Sequence, residues 1–342
     1  MFKIEAIEQA EFQFDRRYFF FCMHSAVSQL LHFYRVPNAE LMIYTGWSCW
    51  LASDGTLRLD QDPLTKGRRD LYRMTCCQAP EEYPLLWQKN LDSLSQGRPV
   101  ILGVDYFYLP FHPRYRQQHG AHAVLLYGAH ARRQSVWIAD YNSPFVAFRG
   151  ELPARNLRCA RQSSNAWNGG INSGGHLQAA CLELFIDGEN LPQGGLDDLS
   201  QTLWSIDRDY FEPSGEGIRG VRAVEHLLRH WEDCEQRDTP GNALWLHGQL
   251  LPLCEKKALF SHYLGDAAPL MAKASSRLFA MDTLDKINET WTTFLKILLK
   301  IAYTPHDYRP LLCAARELCE NVLELERRFS SLVKQLYREL RA

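Results

Sequence analysis

The stretch from Asp105 to Asn142, DYFYLPFHPRYRQQHGAHAVLLYGAHARRQSVWIADYN, constrains this chain more than any other. An apolar strand is predicted from Ala123 to Gly128, with His122 at its mouth. A polar turn centred on Ala131, Arg132 and Arg133 follows, and a second apolar strand, Ser135 to Ala139, ends at Asp140. Short apolar runs bounded by turn residues read as buried strands. With the hairpin symmetric about residue 131, His122 and Asp140 face each other as cross-strand partners, roughly 4.5–5.5 Å apart at Cα. A carboxylate at that range holds an imidazole in one tautomer.

Such a pair calls for a nucleophile, and Cys22 offers one far upstream. It follows the apolar run Tyr18-Phe19-Phe20-Phe21 and opens a helix predicted over 22–34, in which Ala26, Val27, Leu30, Leu31, Phe33 and Tyr34 recur at helical spacing. Pro37 marks its end. The first turn of a helix carries unpaired N–H groups and a partial positive charge, which favours an anionic sulfur. A small buried hydrophobe is the ordinary reading of any single cysteine. His24 reads as a surface or supporting residue. A cysteine at a helix start, then a histidine, then Asp or Asn on a β-hairpin is the order of papain-like enzymes.

Other residues compete for roles. His112, His119 and His130 flank His122. The His119/His122 pair lacks an acidic or thiol partner at helical spacing, so no metal is expected. Asp140-Tyr141-Asn142-Ser143-Pro144 is also an ordinary turn sequence, and Asn142 is the alternative orienting residue. Asp105, Tyr106 and Tyr108, with Pro110, His112 and Tyr115, form an aromatic, polar-tipped cluster. Clusters of this kind line acceptor pockets and also occur as surface packing. His119 either orients substrate there or sits exposed.

The chain has 342 residues, 46% of them hydrophobic and 12% aromatic, enough for two domains with a large core. A net charge of -2 argues against nucleic acid as a partner. Glu5, Glu8, Glu11 and Asp15 interrupt the N-terminal segment, so no signal peptide is expected; no window of about 18 apolar residues exists, so no membrane span is expected, and a cytoplasmic location follows. The ten cysteines show no CxxC pair and are expected as free thiols. Turn-rich stretches between Asp187 and Gly220 separate a mixed region, taken as residues 1–200, from a helical one, 201–342. Further elements are predicted at 84–95 (helix), 100–104 and 179–185 (strands), and 219–235, 242–263, 284–302 and 308–341 (helices). The Gly, Ser and Asn-rich segment 161–176 reads as a loop and a candidate lid.

Gly103 to Phe111 (GVDYFYLPF), His119-Gly-Ala-His122, Tyr127-Gly128 and Asp140, preceded by Cys22 in FFFCMHSAVSQLL, resemble the N-terminal domain of the butirosin biosynthesis protein H family. Gly217 to Trp231 and Trp291 to Leu336 are similar to the helical domain that often follows in that family. Phe107 and Phe111 stand where tyrosines are common there, and Ala129 and His130 follow Gly128 where an acidic residue is usual. The resemblance implies an α+β fold: a papain-like domain with a small antiparallel sheet, then an α-helical bundle. It implies acyl transfer from the phosphopantetheine thioester of an acyl or peptidyl carrier protein to a small-molecule amine, in specialised-metabolite biosynthesis, with no other cofactor. Carried over, Cys22 takes the acyl group, His122 is base then acid, and Asp140 orients it. Asp105, Tyr106, Tyr108, His119 and Asn142 are the expected substrate contacts, and a homodimer is an open expectation. A thioesterase or amidase on the same triad, a peptidase, and a non-catalytic carrier-binding module are the rival readings.

Overall fold

The computed structural model describes residues 2–9, 22–43, 46–60, 62, 64–76, 82–142, 146–163, 180–186, 190–233, 239–304 and 308–342. In chain order the elements begin with β1 (Phe2–Lys3), α1 (Glu5–Gln9), α2 (Cys22–Phe33), β2 (Cys49–Leu51) and β3 (Leu57–Leu59). Next come β4 (Tyr72–Cys76), α3 (Tyr83–Ser95), β5 (Val100–Asp105), β6 (Ala121–His130), β7 (Ser135–Asn142) and β8 (Val146–Pro153). Then follow α4 (Ala154–Gln162), β9 (Ala180–Leu184), α5 (Leu196–Ser205), α6 (Val221–Asp233), α7 (Thr239–Asp266), α8 (Arg277–Tyr303) and α9 (Arg309–Arg341). The architecture is α+β: an antiparallel sheet region, then a helical region. The chain forms two compact units, residues 1–43 with 63–194, and residues 44–62 with 195–342. Sequence patterning places one boundary at 200. The return of 44–62 to the helical unit has no composition signal of its own.

The first unit is built on a seven-stranded sheet in the order β4-β9-β5-β6-β7-β8, with β1 pairing the part of β6 that runs past β5. Every pairing is antiparallel. All six residues of β5 are buried, as its unbroken apolar run requires. Helices α3 and α4 cover the sheet through one cluster. It joins Leu86 and Leu94 of α3 and Leu157 of α4 to Val100, Leu102 and Val104 of β5, with Val124, Leu126 and Ile138 from the hairpin. Burying each such aliphatic side chain stabilises the fold by about 1.5–3 kcal/mol.

Helix α2 ends for a local reason. Arg35 takes a left-handed conformation (φ 57°), while Arg35 N–H and Val36 N–H donate to His32 O and Leu31 O, each at 2.9 Å. This pair of hydrogen bonds satisfies carbonyls the helix leaves open. Pro37 then prevents continuation.

The second unit packs α5–α9 with the β2–β3 hairpin. Trp47 stacks on Phe329 and meets Tyr210 and Phe260 edge-on, at centroid separations of 5.4–5.5 Å. Beside it Lys257, fully buried, pairs with the buried Glu326. Trp291 Nε1–H also donates to Glu326, at 3.0 Å. Among the described residues no helix is long and apolar enough to cross a membrane.

Candidate active site

The expected hairpin forms, but its register differs. The turn occupies 131–134, with Gln134 at φ 49° donating to Ala131 O, so His130 pairs with Ser135. Relative to a hairpin centred on residue 131, this moves the pairing by three positions. An irregularity between Leu126 and Gly128 takes one position back, and Leu125 then pairs with Ala139. By this register Asp140 falls opposite Val124, two residues from His122. His122 and Asp140 are therefore diagonal neighbours rather than direct partners. The shift is even, so both side chains keep the same face. His122 Nε2 reaches Asp140 Oδ2 at 2.7 Å, with 4% and 1% of the two side chains exposed.

On its other side His122 pairs with Val104 of β5, which clamps the strand that carries it. Burial alone would lower the His122 pKa. The Asp140 carboxylate, its hydrogen bond and the Cys22 sulfur beside the ring overturn that and hold it well above the ordinary value. The imidazolium is thus the favoured form. Cys22 is the first residue of α2, half-buried, and its thiol is within hydrogen-bonding reach of His122. With Nε2 given to Asp140, the ring's Nδ1 remains for the sulfur. The three residues that sequence order nominates are thus in one place.

Asp105 differs from a pocket-lining residue. It is fully buried, and four donors fill its carboxylate. Oδ1 accepts from Phe107 N–H (3.0 Å) and Gly120 N–H (3.1 Å). Oδ2 accepts from Ser163 Oγ–H (2.6 Å) and His119 Nδ1–H (2.7 Å). No acceptor capacity is left for substrate, and Asp105 instead ties the end of β5, the start of β6 and the end of α4 together. His119 is held by this bond and by stacking on Phe107, with ring centroids 3.9 Å apart, while 31% of its side chain stays exposed. Tyr106 and Tyr108 are half-buried, and the Tyr106 hydroxyl donates to His119 O. Gly120 is required here, because a Cβ would lie 2.3 Å from the Tyr106 hydroxyl. The Asn142 side chain lies outside the described residues, as does 164–176 of the proposed lid. Its first residues are not loop: Arg161 and Gln162 end α4, and Arg161 is buried and donates to Gly103 O. His24 is buried rather than on the surface.

His112 is the site neighbour that spacing does not select. Its ring stacks on Tyr106 at 4.5 Å and lies 5.4 Å from the His122 ring. Burial and the adjacent His122 push its pKa down to about 4, so it is neutral at pH 7. Its Nδ1 accepts from Arg114 N–H at 3.2 Å, which leaves the proton on Nε2. No sequence spacing signals this, because the contact follows from the loop between Tyr108 and His119 folding back. Among the described residues no group of three or more His, Cys, Asp or Glu is placed to hold a metal ion.

An antiparallel α+β unit with a cysteine at a helix start beside a buried His–Asp pair defines a candidate thiol-dependent catalytic domain. Residues 21–141 match the family described as butirosin biosynthesis protein H, N-terminal. The matched segment contains Cys22, His122 and Asp140. No curated protein matches the chain.

Proposed function

We propose that this protein is a papain-like, cysteine-dependent acyltransferase of natural-product biosynthesis, acting in the cytoplasm. The observation that carries this reading is the contiguity of Cys22, His122 and Asp140, with the last two buried at 2.7 Å. In the first half-reaction the Cys22 sulfur attacks the carbonyl carbon of an acyl thioester. A new C–S bond forms, the donor's C–S bond breaks, and the donor thiol leaves with the proton held by His122. In the second, an amine attacks the Cys22 thioester. The amide C–N bond forms, the Cys22 C–S bond breaks, and His122 takes the amine proton. Asp140 holds the imidazole and stabilises its charged form. The Cys22 backbone N–H, at the start of α2, is one donor to the oxyanion.

A carrier-protein phosphopantetheine thioester is the donor this reading favours, as the resemblance to the family implies. Arg114 and Arg116 stand exposed on the loop that carries His112, where an acidic carrier would meet them. The acceptor is a small-molecule amine, and the cluster of Tyr106, Tyr108 and His119 flanks its approach.

The test is the fate of the acyl group. Purified protein is given an acyl thioester with and without a panel of amines, and products are resolved by mass spectrometry. Amide formation that outruns hydrolysis supports the transferase. Free acid as the sole product at every amine concentration assigns a hydrolase instead.

A further inference from the structure

A second site lies at the opposite end of β6 from His122. Eight residues separate His122 from His130, roughly 25 Å of strand. There an open cleft of about 790 Å³ runs between α3 and α4. The α3 wall is apolar: Tyr83, Pro84, Trp87 and Leu91. On α4, Leu157 and Ala160 face the core, which turns Arg155, Arg158, Cys159 and Gln162 outward at spacings of three and four. The β6–β7 turn, through His130 and Gln134, closes one end. Among the described residues no Asp or Glu lines the cleft. Arg155 and Arg158 are exposed and make no ion pair among the described residues. The cleft is large enough for a small molecule.

We propose that this cleft binds a small amphipathic anion. Its aliphatic or aromatic body lies on Trp87 and Leu91, and its phosphate or carboxylate is held by Arg155 and Arg158. One wall is mainly apolar and aromatic, and the other carries two guanidinium groups with no ion-pair partner among the described residues, which match planar oxyanions. A neutral lipid would leave both arginines without a partner, and a cation would be repelled.

Cys159 reports on occupancy because it is exposed on the arginine wall. The full-length protein is alkylated with limiting iodoacetamide, and Cys159 labelling is followed by peptide mass spectrometry. The probes are octyl phosphate, octanoate and octanol. Cys313, exposed on α9, is the internal control. Octyl phosphate or octanoate is expected to slow labelling of Cys159 and leave Cys313 unchanged. Protection by octyl phosphate alone assigns a phosphate ligand, and protection by both a general anion. The protection is expected to disappear in Arg155→Gln/Arg158→Gln, two exposed substitutions, while acylation of Cys22 continues. Equal protection by octanol, protection that survives the double substitution, or no protection by either anion overturns the proposal.

Discussion

His122 Nε2 stands 2.7 Å from Asp140 Oδ2 although the two residues are offset by two positions across the β6–β7 pair. The diagonal contact suits a buried pair. His122 is clamped by the β5 ladder, and Asp140 reaches it from the next strand along the same face. Each charge is desolvated together with its partner, so removing either one leaves the other buried and uncompensated.

Asp140→Asn removes the charge that keeps His122 protonated. The expected result is a fall in the acyl-transfer rate of about 10⁴-fold, by analogy with other triads. The His122 pKa is raised on folding, so the pair's stabilisation is fully present below the unfolded value of about 6.5 and is lost as pH rises through the folded value. The stability gap between wild type and Asp140→Asn is therefore widest in mild acid and narrows with rising pH. Urea unfolding from pH 5 to 9 checks this, and a gap that widens with pH contradicts it.

His112 is expected to remain neutral from pH 5.5 to 8, because burial and its charged neighbour His122 push its pKa down to about 4. Proton NMR of the imidazole resonances, assigned by comparison with His112→Gln, tests this. A flat His112 signal across that range is the predicted outcome, and a midpoint near 6.5 sinks it.

Asp105→Ala strips four donors of their acceptor at once, two of them backbone N–H groups. A loss of about 3 kcal/mol is expected, since unmade buried hydrogen bonds cost about 1–3 kcal/mol each and partial rehydration recovers some. Asp105→Asn retains an acceptor for two of the four and should lose less. Equal stability of Asp105→Ala and wild type in denaturant would show that Asp105 does not hold β5, β6 and α4 together.

In the helical unit, Lys257→Met leaves Glu326 as an uncompensated buried charge, and a loss of about 3–5 kcal/mol is expected. Lys257→Met/Glu326→Gln should recover most of it, because the amide still accepts from Trp291 Nε1–H. Additive losses in the double variant would show that the two residues act independently.

The long elements are legible in the sequence for a plain reason. Helices α2, α3 and α6–α9 carry apolar residues at helical spacing, and β5 is a continuous apolar run, so local pattern and tertiary burial agree. The strands β1, β4 and β8 are not legible, because each is short or weakly alternating and gains its meaning from a partner elsewhere in the fold. Helix α4 escapes notice for a related reason. Its sequence ARNLRCARQ offers only Leu157 and Ala160 as core contacts, and the buried Arg161 looks like a surface charge until Gly103 O is placed beside it. In the site, the order of Cys22, His122 and Asp140 is readable because triad chemistry restricts residue types. The roles of Asp105 and His112 are not, since both depend on how the loop between Tyr108 and His119 returns to the strand.

The proposed function stands on a covalent acyl intermediate at Cys22. The direct measurement is the intact mass of the protein after mixing with a panel of small acyl thioesters, beside Cys22→Ala. One added acyl group is expected on wild type, mapped to the Cys22 peptide, and none on the variant. An adduct that persists in Cys22→Ala, or turnover of a thioester that does not need Cys22, contradicts it.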